Sequence, residues 1–327
     1  MWGSAYRTLL QPSVWALRRA RSRVANRFDP PVLVLIYHRV TRLARDPQLL
    51  AVSPENFRAQ MRYLKERHPV LRFEDDWSQV REPSVVVTFD DGYADNALEA
   101  LPILEEVGVP ATFFVATGTL GTDREFWWDE VERILSGAGP FPDSFTLEAP
   151  PAGRTFPTAR PEQRQALYGA VLQTMMRLDP ARRDELLARL RAWASVGERD
   201  EQHPMTLEEL STLAASELVT IGAHTVSHTP LASLTPAAQR EEILSSKRYL
   251  EAALEREIQV FSYPFGRRCD YTAASVRFCR EAGFVRAAAN FPGQAHRWTD
   301  PFQVPRQLVR DWPAPLFAEK LEGYWTL

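Results

Sequence analysis

The sequence predicts an α/β protein with a mainly parallel sheet, and three observations point there. Strand-length apolar runs alternate with helical periodicity from residue 31 onward. The clearest runs, Val32 to Tyr37 and Val85 to Phe89, read as buried strands. Helical segments open on capping or Pro signals, as at Ser53-Pro54, Thr206 and Thr235-Pro236. Composition agrees, since 45% hydrophobic and 25% charged residues lie near the averages of soluble globular domains, and 327 residues suffice for a sizeable core. A net charge of -3 gives no overall basic field, which argues against nucleic acid as the main partner.

Residues 1–30 precede the first strand as a basic segment, with Arg18, Arg19, Arg21 and Arg23 among apolar positions. The charge follows a short apolar stretch instead of preceding a longer one, so the segment does not read as a signal peptide. No segment approaches the ~20 apolar residues of a membrane span. Residues 1–30 read as a solvated tail, with peripheral contact to an anionic membrane surface as the alternative. Cys269 and Cys279 form no CxxC motif and read as reduced thiols of a cytoplasmic protein.

After the strand at Val32 to Tyr37, the helix opening at Ser53-Pro54 carries Phe57, Met61 and Leu64 on one face. The strand ending at Phe89 is followed by a helix near Ala94 to Glu106 and a strand from Ala111 to Ala116. The rhythm fails between about Ser136 and Pro204, where a Pro-rich stretch precedes two helical segments. Leu167, Val171 and Met175 mark the face of the first, and Leu186, Leu190 and Trp193 that of the second. This predicts a helical insertion into the body, with Met175 and Met176 filling a helix-pair core. Thr206 and Glu209 then form a capping box. A strand from Leu218 to Gly222, a helix to about Glu255, a strand from Ile258 to Tyr263, a helix from Tyr271 to Ala282 and a strand from Phe284 to Ala288 follow. The division expected is a basic segment (1–30), an α/β body in two parts (31–137 and 205–327) and an insertion (138–204).

Chemistry concentrates where two of these strands stop. Asp90-Asp91 follow Val85 to Phe89, and adjacent carboxylates resist joint ionisation unless a cation or hydrogen bonds compensate. That suggests a metal on one Asp and proton transfer by the other. His224 and His228 follow the strand at Leu218 to Gly222, and a helical turn would bring both rings to one point. Parallel sheets gather such strand ends at one rim. Two His and one carboxylate fill three positions of a tetrahedral site and leave a fourth open, the arrangement of a catalytic divalent metal, with Zn2+ first and Co2+ or Ni2+ as alternatives.

Thr88-Phe89-Asp90-Asp91-Gly92, His224-Thr225-Val226-Ser227-His228 and Tyr263-Pro264-Phe265-Gly266 together resemble the polysaccharide deacetylase family, also called the NodB-homology or carbohydrate esterase 4 group. The resemblance covers about residues 31–137 and 205–310. It implies a distorted (β/α) barrel of mainly parallel strands, which local periodicity cannot separate from an open sheet. It also implies Asp90 as base, Asp91, His224 and His228 as metal ligands, and the Phe265 amide as oxyanion donor. Many members carry an Arg in the third motif beside the base, where this chain has Ser262. Arg306, in Val304-Pro305-Arg306, is a candidate to supply that charge from another strand. The His expected near the carboxyl terminus is also missing. His38, ending the first strand, resembles the general acid of a circularly permuted branch that includes poly-N-acetylglucosamine deacetylases.

Candidate substrate-facing residues are Trp127, Trp128, Tyr263, Pro264 and Arg306, with one of the tandem Trp expected in the core. These assignments imply a metal-dependent N-deacetylase acting on N-acetylhexosamine units of a glycan or glycan precursor. An O-acetyl esterase and a non-catalytic carbohydrate-binding protein are the alternatives.

Overall fold

A computed structural model describes residues 24–137, 140–148, 153–195 and 203–326. The membrane contact expected of residues 1–30 falls mainly on residues 1–23, outside the described residues. In chain order the strands are β1 (Val32–Tyr37), β2 (Arg39–Val40), β3 (Ala51–Val52), β4 (Val70–Leu71), β5 (Ser84–Phe89) and β6 (Ala111–Val115). There follow β7 (Ser144–Leu147), β8 (Arg154–Pro157), β9 (Val219–Ala223), β10 (Val260–Ser262), β11 (Arg286–Ala288) and β12 (Gln307–Leu308). The main sheet runs β11-β10-β9-β6-β5-β1-β12, and β4 shares with β6 the second edge of β5. All its pairings are parallel.

The two ends of that order meet. Val304 pairs in parallel with Ala288 of β11, while Gln307 and Leu308 pair with Leu35 and Ile36 of β1. The stretch 304–308 therefore touches both edges and curls the sheet into a barrel. This is the distorted barrel of parallel strands that the sequence resemblance implies.

Successive strand residues face opposite sides, and here both sides are buried. Val32, Val34, Val86, Phe114, Val260, Ala288 and Val304 form one cluster, the barrel interior. Leu33, Leu35, Val85, Val87, Phe113 and Ile221 belong to a second, which takes in Phe57, Met61 and Leu64 of the helix Pro54–Arg67. The inward set continues two residues at a time, from Val86 to Thr88 and Asp90, from Val260 to Ser262 and from Val304 to Arg306. Polar groups from three strands thus arrive at one rim.

Gly222 of β9 occupies a tight place in this interior. A Cβ there would lie 2.5 Å from Phe114 Cδ1 and 2.9 Å from Val260 Cγ2. Gly222→Ala is expected to destabilise the fold by roughly 1–3 kcal/mol through overpacking. An unchanged urea midpoint would contradict the tightness of that contact.

The helix expected near residues 94–106 contains a π-turn over Asn96–Ala100 before the α-helix Leu101–Val107. Pro102 lacks the N–H that an unbroken α-helix would use there, and a wider turn just before it accommodates the loss. The stretch expected as an insertion contains its two expected helices, Pro161–Met175 and Pro180–Ala194. It also holds the antiparallel hairpin β7–β8, which the Pro-rich composition concealed. Met175 is fully buried in a cluster with Trp127, Trp128, Val131, Leu167 and Leu190. Cys269 is exposed, Cys279 is buried, and both are free. Among the described residues no helix is long and apolar enough to cross a membrane.

Candidate active site

Asp90 sits at the end of the inward face of β5, 4% exposed. Arg306 approaches it from the segment that closes the barrel, and the pair is bidentate, with Nη1 to Oδ1 and Nη2 to Oδ2 each at 2.7 Å. The guanidinium is itself pinned. Its Nε donates to the Ala289 carbonyl at 2.7 Å, its Nη2 also donates to Ser262 Oγ at 2.9 Å, and its Nη1 donates to Thr88 Oγ1 at 3.2 Å. Ser262 Oγ in turn donates to Asp90 Oδ2 at 3.2 Å. Burial alone would raise the Asp90 carboxyl, but Arg306 and then His224 outweigh it and hold it below the ordinary value. Arg306 is 1% exposed with its donors turned to Asp90 and the barrel, so it is no substrate-facing residue. It stands where Ser262 leaves room for it.

Asp91, His224 and His228 come together beside this pair, with one candidate ligand atom from each inside 4.8 Å. His228 Nε2 lies 3.1 Å and His224 Nε2 3.5 Å from Asp91 Oδ1. His224 Nδ1 meets the Ser262 carbonyl at 2.7 Å. A carbonyl only accepts, so Nδ1 carries a proton and Nε2 is the nitrogen that faces the cluster, a ligand atom once it is deprotonated. That Nε2 is buried without a hydrogen-bond partner. One carboxylate and two imidazoles, one of them oriented by a carbonyl from outside the cluster, fit a divalent cation. Burial would raise the Asp91 carboxyl, yet His228 and His224 hold it well below its usual range.

The backbone around these groups is strained. Asp91 (φ 78°), Thr225 (φ 63°), His228 (φ 49°) and Phe265 (φ 60°) all have left-handed conformations. Such residues cost about 1–3 kcal/mol each and collect at functional sites. The segment from His224 to His228 makes a bend, not the helical turn expected of an HxxxH spacing. Thr225 and His228 in left-handed conformations bring the rings together instead. The Asp91 conformation is fixed on its other side by its carbonyl, which accepts from Ala116 N–H at 3.1 Å.

His38 follows β1 at the same rim, where Asp91 and Asp90 both act on its charge. Burial dominates and lowers its pKa. Two residues missed in the sequence hold it in place. Asn96 Nδ2 donates to the His38 carbonyl at 2.9 Å, and Asp95 pairs with Arg39 at 2.8 Å while accepting from the Val40 N–H at 3.0 Å. Their signal was slight, two polar residues four and five positions after Asp91.

Phe265 N–H has no hydrogen-bond partner among the described residues, and its ring packs on His228 at 4.9 Å. Trp128 also covers His228, at 4.6 Å, and its Nε1 donates to Tyr93 Oη at 2.7 Å. Both tandem Trp are largely buried and both line the cavity beside His228, so the two are not divided into one core and one substrate-facing residue. Trp127 borders a cavity of about 230 Å³ that also touches Arg183 and His228. Tyr263 is corrected as well. It is fully buried, stacks on Tyr271 and donates through Oη to the Phe302 carbonyl at 3.0 Å, so its side chain is core. Pro264 is buried too and serves to introduce the Phe265 turn.

A family model described as polysaccharide deacetylase matches residues 78–138 and 192–285. Those segments contain Asp90, Asp91, His224, His228 and Phe265 but leave out His38 and Arg306. The chain is 21% identical over 272 residues to YxkH of Bacillus subtilis (strain 168), covering 81% of this chain and 66% of that relative. It thus spans just under two thirds of that relative's length. Among solved structures it is similar to the deacetylase PplD of Streptococcus pyogenes, solved in complex with acetate, with a TM-score of 0.57 and 17% identity over 89% of this chain and 98% of that one. It is equally similar to IcaB of Ammonifex degensii, with a TM-score of 0.57 and 18% identity over 91% and 98%. At these identities the two structures speak to the fold.

Proposed function

We propose, on the premise that the chain belongs to the polysaccharide deacetylase family, that it removes N-acetyl groups from N-acetylhexosamine units of a glycan or glycan precursor and releases acetate. The observation that carries this reading is a carboxylate clamped by a buried Arg next to an Asp-His-His cluster at one barrel rim. A divalent cation held by Asp91, His224 and His228, Zn2+ first with Co2+ or Ni2+ as alternatives, would supply the Lewis acidity that makes a water more acidic and polarises the acetyl carbonyl.

The chain's own residues divide the remaining work. Asp90 takes the proton of the attacking water, and Arg306 keeps that carboxylate ionised and aimed. Water oxygen joins the acetyl carbon while the Phe265 N–H donates to the carbonyl oxygen as negative charge builds there. A donor of this kind is worth about 3 kcal/mol in the transition state. The C–N bond then breaks, His38 in its protonated form gives a proton to the departing nitrogen, and the acyl part leaves as acetate. Leu35, Tyr37 and the Asn96 contact hold His38 at its strand end, so it can meet a leaving group without being part of the cation cluster.

His38→Ala tests the assignment. Loss of a positioned acid should lower amide hydrolysis by about 10²- to 10⁴-fold, with a smaller loss on the corresponding ester, whose alkoxide leaves more readily. Acetate release from N-acetylated and O-acetylated forms of one sugar measures both. Full amide hydrolysis by His38→Ala would remove the acid role, and a wild-type preference for the O-acetyl form would favour the esterase reading.

A further inference from the structure

We infer that Arg183, from the helical insertion, is a positioning residue for the cation cluster and that it ties the insertion to the loop carrying His228. This rests on the cation site of the proposed function and assigns the insertion a part in forming it. Arg183 lies in the first turn of the helix Pro180–Ala194 and is 3% exposed. Both its burial and its place at the positive end of a helix dipole disfavour a cation there. What it touches accounts for its position. Nη1 donates to the Ser227 carbonyl at 3.0 Å and Nη2 to Thr229 Oγ1 at 2.7 Å. Arg183 therefore grips the two residues that flank His228, while its guanidinium packs over the Trp127 ring at 4.9 Å.

The same loop is held from the barrel side by Glu242. Its carboxylate accepts from the Val226 N–H at 2.8 Å, the Ser227 N–H at 2.9 Å and Ser227 Oγ at 2.6 Å. Ser227 Oγ and Thr229 Oγ1 are 2.7 Å apart. A continuous chain thus runs from Glu242 through two hydroxyls to Arg183, with opposite charges at its ends and His228 between its links. His228 has a left-handed backbone, a conformation that persists only where its surroundings impose it. The clamp supplies that constraint, and half of it belongs to the insertion. The Ser227 and Thr229 hydroxyls are small and lie on either side of a ligand, so neither reaches the insertion without the long Arg183 side chain.

Cobalt titration of the full chain, followed by its visible absorption, tests this. Arg183→Lys and Thr229→Val are each expected to raise the Co2+ dissociation constant about 10- to 100-fold, as loss of a group that orients a ligand does, and to change the absorption band. The thermal midpoint before cobalt is added should fall less in Thr229→Val, which removes one partner of Arg183, than in Arg183→Lys, which removes the guanidinium. If Thr229→Val binds Co2+ within twofold of wild type and with the same band, the inference is overturned, whatever Arg183→Lys does to folding. A wild-type chain that takes up no Co2+ overturns the proposed function and this inference together. Wild-type binding with undisturbed variants overturns this inference alone.

Discussion

Asp90→Asn is expected to lower the rate of acetate release by about 10²- to 10⁴-fold, the range associated with a positioned proton acceptor, while leaving cation uptake in place. The amide keeps the size of the carboxyl and two of its contacts. Its oxygen can still accept from Arg306, but its NH2 faces a guanidinium that only donates, so one of the two bonds at 2.7 Å is lost. Asp91, His224 and His228 keep their own donor atoms, although His224 Nε2 lies 3.7 Å from Asp90 Oδ2, so cation uptake and turnover are read separately. A variant that binds Co2+ like wild type and hydrolyses nothing supports Asp90 as base. A variant that retains a tenth or more of wild-type turnover on the N-acetyl substrate removes it from that role.

Arg306→Met should have a larger effect on folding than any other substitution at the rim. The pair is almost wholly buried, and removing one member strands the other, at about 3–5 kcal/mol for a broken buried pair. Thr88 Oγ1, Ser262 Oγ and the Ala289 carbonyl lose a partner at the same time. The effect depends on pH with a definite sign. In the wild type burial opposes ionisation of Asp90, but Arg306 reverses the balance and depresses its pKa. The pair's stabilisation is therefore complete above the unfolded carboxyl pKa of about 3.9 and is lost as pH falls through the folded value. Without Arg306, burial becomes the leading influence, and a neutral Asp90 is then the better-tolerated form. The deficit of Arg306→Met should shrink on acidification from pH 7 toward pH 4. Urea unfolding of both proteins across that range measures it, and a deficit that stays constant would show that the Asp90 charge is not its source.

Much of the site could be read in the sequence because its parts are marked locally. Asp91, His224 and His228 each follow a long apolar run, and the end of a parallel strand is where a ligand group is delivered. Arg306 carried no such mark. It precedes a strand of two residues, too short for any periodicity, and only the parallel pairing of Val304 with Ala288 turns its side chain into the barrel. The HxxxH spacing suggested a helical turn because that is the simplest way to align two rings four residues apart. The backbone found a second way through left-handed conformations, which leave no trace in composition when the residues are Thr and His. Tyr263 was misplaced by its neighbours. It stands next to Pro264 and Phe265 in a motif, but strand alternation sends its ring to the helix side of β10, away from Ser262. Strand β7 of the hairpin alternates exposed and buried residues as a strand should, yet Pro142, Pro150, Pro151 and Pro157 masked the hairpin.

The arrangement around Arg306 also imposes an order in time. Arg306 lies 216 residues after Asp90 in the chain. At about 5–20 residues per second, a ribosome needs on the order of 10 to 40 s to make the stretch between them. For that interval the nascent chain carries Asp90 without its counter-ion, at the mouth of a sheet whose last strand does not yet exist. The segment that shuts the barrel is the one that supplies the guanidinium, so completion of the fold and pairing of Asp90 are one event. A partly made chain has the carboxylate but no means to use it.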